Sequence, residues 1–344
     1  MAKTGIIGAG SWGCALAFVL NQNGHEVTVW SALKEEIEML KREHEHKDKL
    51  PGVRLEGRIS FTLDLKEAVC GMDLLVLAVP SVYTRSTAKQ MAAYVSSGQI
   101  VVCVAKGIEE TTLMTLSEIV EEEIPAAEAA VMCGPSHAEE VGAKLPTTVV
   151  AGAKMRKTAE YIQSMFMNEV FRVYTSPDVL GMELGGALKN VIALAAGMAD
   201  GLGFGDNTKA ALITRGMEEI RRLAVKMGAD AQTLNGLTGI GDLIVTCASR
   251  HSRNRRAGML MGQGATMQQA MDEVKMVVEG VYSAKAAIEL SRKYDVSMPI
   301  IEQVNKVLFE DKPVKEAVTE LMLRDKKPEY AVLGWERENG NDSN

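Results

Sequence analysis

The stretch TGIIGAGSWGCALAFVLNQNG, residues 4–24, decides the fold of this chain. It opens with a short apolar run that predicts a β-strand, and it closes with a helical period that ends at Gly24. Between the two, Gly8, Gly10 and Gly13 have the spacing GxGxxG. In such a turn the first glycine permits a tight bend, the second lets the backbone approach a pyrophosphate, and the third lets helix and strand pack closely. The stretch therefore predicts a dinucleotide-binding strand–turn–helix unit, with a purely structural glycine turn as the alternative.

The helix after this turn should hold the phosphates of the dinucleotide. A helix N-terminus offers free N–H groups and a partial positive charge, both of which favour an anion. The predicted cofactor contacts in this unit are Gly8, Gly10, Ser11, Trp12 and Gly13.

The second predicted strand, EVTVW at residues 26–30, bears on the choice between NAD and NADP. An acid at the end of this strand would bind the ribose 2′-hydroxyl of NAD. Here the strand is followed by Ser31 and Ala32, and no acid occurs before Glu35. A 2′-phosphate would therefore meet no repulsion, and Lys34 could attract it. We expect NADP, or tolerance of both dinucleotides.

The remainder of the first half alternates strand and helix patterns. The runs LLVLAV and IVVCV are apolar without alternation, as is typical of central strands covered on both faces. Strands separated by helices predict an α/β fold with a Rossmann-type doubly wound parallel sheet. The further candidate strands lie at residues 58–62, 74–80, 100–107 and 129–135.

The pattern changes near residue 178, beyond which long helical periods replace strands. These periods lie at residues 181–201, 209–228, 283–294 and 313–324. The predicted division is a dinucleotide-binding domain at 1–178, an all-α substrate-binding and catalytic domain at 179–330, and a polar tail at 331–344 that we expect to be disordered.

The composition restricts the class of partner and the compartment. The 344 residues carry a net charge of −7, which disfavours nucleic acid or an anionic membrane as the main partner. No uninterrupted apolar run reaches the roughly 20 residues that span a bilayer. The five cysteines contain no CxxC pair and lie among apolar neighbours, which indicates reduced, packed thiols. A soluble, cytoplasmic protein is expected.

A lysine stands in an improbable place in the second half. Residues 184–199, LGGALKNVIALAAGMA, are small or apolar apart from Lys189 and Asn190. A helix that is apolar all round belongs in the interior, where an ammonium is costly unless something compensates it. The plain alternative is a lysine that extends its amine to the surface or meets one carboxylate.

Polar groups also follow two predicted strands. Lys106 ends the run VVCVAK at the carboxyl edge of the sheet, where open α/β sheets bind ligands, although a lysine there can also simply end a strand at the surface. Gly134, Pro135 and Ser136 form a turn ahead of a predicted helix, where backbone N–H groups could face a ligand. His137 is either catalytic or a bystander in this loop.

The segment GIGDLIVTCASRHSRNRRAG, residues 239–258, supplies further candidates. Asp242 and Thr246 lie four apart and would share one face of a helix. The four arginines that follow could be a solvated face, but Ser252, Arg253 and Asn254 suit a small phosphate, because guanidinium binds phosphate bidentately. The negative net charge and the lack of interleaved aromatic residues argue against nucleic acid.

The blocks GAGSWG, AKGIE, GPSHAEE, ELGGALKN, GLTGIGDLIVTC, SRNRR and VVEG together resemble NAD(P)-dependent glycerol-3-phosphate dehydrogenase of the bacterial biosynthetic type. The resemblance runs from about residue 4 to residue 325. It implies a second domain like the C-terminal domain of 6-phosphogluconate dehydrogenase, and reversible reduction of dihydroxyacetone phosphate to sn-glycerol 3-phosphate, the backbone of glycerophospholipids. It is also compatible with a homodimer, and it implies no metal ion.

The resemblance assigns roles residue by residue. Lys189 matches the proton donor and acceptor of the family, and Lys106 its second active-site lysine. The implied catalytic group is Lys189, Lys106, Asn190, Asp242 and Thr246. The implied substrate contacts are Lys106, Gly134, Ser136, Lys189, Asp242, Ser252, Arg253 and Asn254. The implied cofactor contacts beyond the glycine turn are Lys34, Lys106, Ala138, Arg253, Val277 and Glu279.

Two departures and two rivals accompany this resemblance. His137 stands where an aromatic residue is common in the family, and Ser31 and Ala32 stand where a basic residue is common. The first rival is another two-domain reductase, acting on a hydroxy acid or a keto acid. The second is a dinucleotide-binding sensor without catalysis, which would have no need of Lys189, Asp242 and Arg253.

Overall fold

The computed structural model describes residues 1–329, so the predicted tail at 331–344 lies outside the described residues. The N-terminal part forms one eight-stranded sheet. Its strands are β1 (Lys3–Ile7), β2 (Glu26–Trp30), β3 (Ile59–Thr62), β4 (Leu74–Leu77), β5 (Ile100–Cys103), β6 (Glu128–Cys133), β7 (Thr147–Ala153) and β8 (Phe171–Ser176).

The strands lie in the order β3-β2-β1-β4-β5-β6-β7-β8. The first six are parallel, which confirms the predicted doubly wound sheet. The order reverses between β1 and β4, and ligands bind at such a point, outside the carboxyl ends of the strands. Strands β7 and β8, which the sequence patterns did not indicate, extend the sheet, and β7 runs antiparallel to β6.

Helices cover both faces of the sheet, and apolar clusters lie on each side of it. Strands β4 and β5 are almost wholly buried, as their continuous apolar runs predict. The helices of this part are α1 (Ser11–Gln22), α2 (Lys34–Glu43), α3 (Leu65–Val69), α4 (Thr84–Met91), α5 (Leu116–Glu123), α6 (Ala138–Gly142) and α7 (Arg156–Phe166).

The described residues after β8 contain helices and no strand. The first of these helices begins at Val179, next to the predicted domain boundary, which stays a prediction. The helices are α8 (Val179–Gly201), α9 (Asp206–Met227), α10 (Ala231–Leu234), α11 (Asp242–Ala248), α12 (Arg253–Gly262), α13 (Met267–Val274), α14 (Glu279–Lys293), α15 (Pro299–Phe309) and α16 (Val314–Met322).

Helix α8 lies at the centre of this second part. By length and composition it could cross a membrane, but 83% of its most apolar window is buried by the surrounding protein. It is a core helix, and α9, α11, α12 and α14 pack on it. Burial on every side explains why its sequence is apolar all round.

Helices α8 and α12 touch through glycines on both partners. A Cβ on Gly197 would lie 2.0 Å from the carbonyl oxygen of Arg255, and a Cβ on Gly258 would lie 2.1 Å from that of Leu194. Gly201 and Gly262 are equally crowded. The two backbones are therefore closer than any side chain would allow.

Candidate active site

The glycine turn lies at the point where the strand order reverses. Gly8 has φ +125°, and a Cβ there would meet the backbone of Ala78, which follows β4. A Cβ on Gly13 would lie 2.0 Å from the carbonyl oxygen of Gly8, so the helix rests directly on the turn. Gly10 faces open space. The first and third glycines are thus required by packing, whereas the second leaves room for a ligand.

This turn fits the pyrophosphate of a dinucleotide. Helix α1 begins at Ser11, and its N-cap, Gly10, provides no side-chain hydrogen bond to the first turn. The first N–H groups of a helix have no partner within the helix and are free to bind an anion. Ser11 and Trp12, both partly buried, lie at this end.

The carboxylate of Glu36, in the first turn of α2, lies against the end of β2, which the sequence patterns did not reveal. Ser31 donates a hydrogen bond from Oγ to Oε2 of Glu36 at 2.6 Å, and Lys49 donates to the other oxygen of Glu36. Although burial opposes it, the nearby His46 and the hydrogen bonds from Lys49 and Ser31 lower the pKa of Glu36 to about 2. Lys34 is exposed at the start of α2. Both oxygens of Glu36 are therefore hydrogen-bonded within the protein, and Lys34 is exposed at the surface nearby.

Two lysines share one buried carboxylate between the sheet and the helical part. Lys189 donates from Nζ to Oδ1 of Asp242 at 2.5 Å and to Oγ1 of Thr246 at 2.6 Å. Lys106 donates from Nζ to Oδ2 of Asp242 at 2.6 Å and to the carbonyl oxygen of Gly134 at 3.0 Å. Lys189 and Asp242 are 4% and 1% exposed. The amine in the apolar helix is thus compensated inside the protein and does not reach the surface.

The electrostatics of this cluster single out Lys189. Burial and the neighbouring Lys106 cation lower the pKa of Lys189 to about 8, against the opposing attraction of Asp242. Although its own burial acts the other way, the attraction of Asp242 raises the pKa of Lys106. For Asp242, burial is outweighed by the two cations, which lower its pKa. Lys189 can therefore gain and lose a proton near neutral pH, while Lys106 stays charged.

The local structure explains how Asp242 reaches this position. A turn of π-helix, Leu237–Gly241, leads into α11, and Asp242 is the first residue of that helix. Thr246 lies one turn later and donates from Oγ1 to the carbonyl oxygen of Asp242 at 2.6 Å. Both side chains therefore lie on the same face of α11, as their spacing predicts.

A chain of amides connects three helices beside the lysines. Asn254 of α12 donates from Nδ2 to Oδ1 of Asn190 on α8 at 2.9 Å. Its Oδ1 accepts from the backbone N–H of Gly280 on α14 at 2.9 Å. Because Asn190 is next to Lys189 in α8, this chain fixes the basic segment 250–256 relative to the lysine.

The basic segment begins a helix rather than forming an open loop. Ser252 caps α12 and accepts a hydrogen bond from the N–H of Arg255 at 3.2 Å. Arg253 is exposed and donates to the carbonyl oxygen of Val277 at 3.2 Å. Arg255 instead pairs with Asp200 of α8. Arg253 makes one backbone hydrogen bond and so keeps guanidinium donors for a ligand, whereas Arg255 is held by Asp200.

Glu279 connects the helical part to the sheet. It accepts hydrogen bonds from the N–H of Ser81 at 3.0 Å and from the Oγ of Ser81, just beyond β4. Burial raises the pKa of Glu279, although the bonds from Ser81 oppose this. The sequence gives no indication of this role for Ser81, because a serine after a strand is common. Ser81 holds Glu279 near the carboxyl edge of the sheet.

The turn after β6 lies against the same cluster. Gly134 has φ +151°, and its carbonyl oxygen accepts both from Lys106 and from the Oγ of Ser136 at 3.0 Å. Ala138 is buried at the start of α6. Cys133, which the sequence placed among packed thiols, donates from Sγ to Oδ2 of Asp242 at 3.8 Å.

The predicted residues therefore form two groups in space. Lys189, Lys106, Asp242, Thr246 and Gly134 form one hydrogen-bonded cluster, and Asn190 and Asn254 adjoin it. The glycine turn and Lys34 lie along the strand ends, and Arg253, Val277 and Glu279 approach from the helical part. Among the described residues, no group of three or more metal-ligating acids, histidines or cysteines occurs.

Comparisons with known proteins agree with this geometry. The family model of the NAD-dependent glycerol-3-phosphate dehydrogenase N-terminus matches residues 3–159, and the model of its C-terminus matches residues 178–319. Two relatives named glycerol-3-phosphate dehydrogenase (NAD(P)+) come from Agathobacter rectalis and Fusobacterium nucleatum. They are 72% and 58% identical, and each match covers 97% of this chain and all of the relative.

A solved structure agrees as well. The crystal structure of glycerol-3-phosphate dehydrogenase from Coxiella burnetii has a TM-score of 0.91 at 35% identity, covering 94% of this chain and 99% of that chain. These matches confirm the resemblance that the sequence blocks predicted. The chain belongs to the NAD-dependent glycerol-3-phosphate dehydrogenase family, and its cofactor is NAD or NADP.

Proposed function

We propose that this chain catalyses the reversible, NAD(P)H-dependent reduction of dihydroxyacetone phosphate to sn-glycerol 3-phosphate. The observation that carries the proposal is the pair of lysines on the buried Asp242, at the same carboxyl edge of the sheet as a glycine turn with open space at Gly10. A sensor without catalysis has no need of two ammonium groups on one carboxylate. The names of the relatives support a phosphorylated triose over a hydroxy acid or a keto acid.

The chain contributes acid–base chemistry to this reaction. When bound, the dinucleotide supplies the hydride that reduces the ketone carbon. Lys189, as the ammonium, stabilises the charge that develops on the carbonyl oxygen and donates the proton to it. Lys106 stays charged, polarises the same carbonyl and lowers the pKa of Lys189. Asp242 orients both amines, and Thr246 accepts the remaining hydrogen bond of Lys189.

The residues at the start of α12 would bind the phosphoryl end of the substrate. A phosphoryl group suits Arg253, whose guanidinium offers paired donors, together with Ser252 and Asn254. Gly134 and Ser136 would bind the middle of the triose, since they share the carbonyl oxygen to which Lys106 donates. Asn190 would hold Asn254 in place.

The cofactor would lie along the strand ends, from the glycine turn to Lys34. Ala138, Val277, Glu279, Lys106 and Arg253 would surround its nicotinamide half. At the adenosine end, the charge of Glu36 is compensated by Lys49 and its other oxygen is hydrogen-bonded by Ser31, so its repulsion of a 2′-phosphate would be weak. This favours NADPH while leaving NADH acceptable. The product would supply the glycerophospholipid backbone in the cytoplasm.

The test is loss of NADH or NADPH absorbance when dihydroxyacetone phosphate is added to purified protein. We expect turnover with both cofactors, and Lys189→Ala should lower kcat by about 10²–10⁴, the scale of a positioned acid–base group. Lys226→Ala, at an exposed site on α9, should leave kcat unchanged. Binding of the dinucleotide without turnover of the triose phosphate would refute the proposal, as would turnover of a keto acid in its place.

A further inference from the structure

A pair of histidines beside the lysine cluster has no role in the reaction as described above. His137 follows the Gly134–Ser136 turn and caps α6, and His251 directly precedes the Ser252–Asn254 segment. Their ring centroids are 5.8 Å apart, and the rings are tilted by 51°. The two rings therefore bridge the two segments that the proposed function assigns to the triose and its phosphoryl group.

One ring nitrogen of His137 has no hydrogen-bond partner within residues 1–329. Its Nε2 is buried and has no hydrogen-bond partner among the described residues. A buried polar atom without a partner is costly, and in native proteins such an atom usually has a ligand, an ion or water as its missing partner. The ring contact with His251 holds the imidazole in place but provides no partner for this nitrogen.

The charges around His137 favour its neutral form and an anionic ligand. Burial and the cations of Lys189 and Lys106 lower its pKa, against the opposing carboxylates of Glu139 and Asp242. The imidazole is therefore uncharged near pH 7, when it can carry its hydrogen on Nε2 and act as a donor. A donor close to two ammonium groups suits an anion better than a neutral group.

We infer that His137 is a further substrate-binding residue, whose Nε2–H donates a hydrogen bond to the phosphoryl group of the substrate. This inference rests on the proposed function and adds a contact to it from the sheet side of the crevice. Arg253 and Asn254 approach from the helical side, so the phosphoryl group would be held between the two parts of the chain.

The test compares His137→Phe with wild type on two substrates. Phe keeps the ring contact and removes the donor, so the KM for dihydroxyacetone phosphate should rise about tenfold with little change in kcat, which is the scale of one hydrogen bond to a charged group. The kcat/KM for unphosphorylated dihydroxyacetone should stay within twofold. His137→Gln, which restores an N–H donor, should recover most of the lost affinity.

His251→Phe is the matched control, because it removes the neighbouring imidazole and keeps an aromatic ring. Its KM for dihydroxyacetone phosphate should stay within twofold of wild type. An unchanged KM in His137→Phe, an equal loss on both substrates, or an equal loss in His251→Phe would each overturn the inference. Failure of wild type to turn over dihydroxyacetone phosphate would instead refute the proposed function.

A direct measurement does not depend on catalysis. Titration of the folded protein with inorganic phosphate, followed by NMR of labelled histidine, should shift the resonance that is missing from the His137→Phe spectrum. Absence of any shift in that resonance at saturating phosphate would contradict the contact. The melting temperature of His137→Phe without ligand, measured alongside, should be no lower than that of wild type, because the variant removes a buried nitrogen that has no partner in the described part of the chain.

Discussion

At the scale of single residues, Lys189 shows how a sequence can reveal chemistry. A charge inside a long apolar helix is improbable unless it is compensated, and the compensation here is Asp242, 53 positions further along the chain. The sequence could mark both residues as unusual and, through the family blocks, associate them. The shared carboxylate was not predictable from spacing, because it depends on how α11 packs on α8. Ser81 and Cys133 gave no signal, since serine and cysteine are common in loops and strands.

The pKa of Lys189 gives a prediction about pH. The pKa of Lys189 is about 8. Reduction requires the ammonium form, so the rate of reduction should fall as pH rises through about 8. Oxidation requires the neutral amine, so the rate of oxidation should rise over the same range. Asp242 raises this pKa, so Asp242→Asn should move the inflection of both kcat profiles to lower pH. The profiles are measured in each direction with saturating cofactor.

A second carboxylate on α8 provides the control for that shift. Asp200 pairs with Arg255 and Lys209 and lies eleven residues beyond Lys189, about 16 Å along the helix. Asp200→Asn should leave the inflection where it is in wild type. An inflection in Asp242→Asn that stays fixed or moves to higher pH would contradict the assignment of Lys189 as the titrating group.

At the scale of elements, the glycine turn was the most predictable part of the structure. Its spacing, strand and helix all appear in the sequence, and each glycine has the environment that its position in the turn implies. Strands β7 and β8 were less predictable. Strand β7 follows helix α6, which has only five residues, and its antiparallel direction departs from the repeating strand–helix pattern.

The turn gives a paired prediction, because its glycines serve different purposes. Gly13→Ala places a Cβ 2.0 Å from the carbonyl oxygen of Gly8, so the backbone must shift, and we expect a loss of about 1–3 kcal/mol in the free energy of unfolding. Gly10→Ala meets no atom within 4 Å, and φ −67° suits alanine. It should leave the melting temperature unchanged and raise the KM for NAD(P)H several-fold.

Calorimetry and steady-state kinetics on both variants separate stability from binding. If Gly10→Ala destabilised the fold, or bound NAD(P)H as tightly as wild type, the free space at Gly10 would not be the site of the pyrophosphate. If Gly13→Ala melted like wild type, the close contact of α1 with the turn would not contribute to stability.

At the scale of the whole molecule, the buried Glu219 makes stability depend on pH. It lies on α9 and accepts hydrogen bonds from the N–H groups of Ile300 and Ile301, at the start of α15. Burial raises its pKa from 4.5 to about 7, against the effect of these bonds. The folded state therefore binds more protons than the unfolded state between these values, and stability should decrease as pH rises through this window.

Glu219→Gln should flatten that decrease, because glutamine keeps an acceptor and does not titrate. The melting temperature, measured between pH 4.5 and 7.5, should fall a few degrees less in the variant than in wild type. Glu218→Gln is the control. Glu218 is partly exposed, and the hydrogen bond that it accepts from Arg221 lowers its pKa. An identical slope in wild type and Glu219→Gln would show that another group is responsible.

The contact between α8 and α12 has a consequence for which molecules can react. Lys189 lies on one of these helices and Arg253 begins the other, and their glycines bring main chain against main chain, so neither helix can slide along its neighbour. The spacing between the backbone positions of the proton donor and of Arg253 is thus set by main-chain packing. Under the proposed function, a substrate analogue longer by one methylene would bind either Lys189 or Arg253 correctly, but not both at once. Length discrimination would then survive most changes to the lining of the crevice.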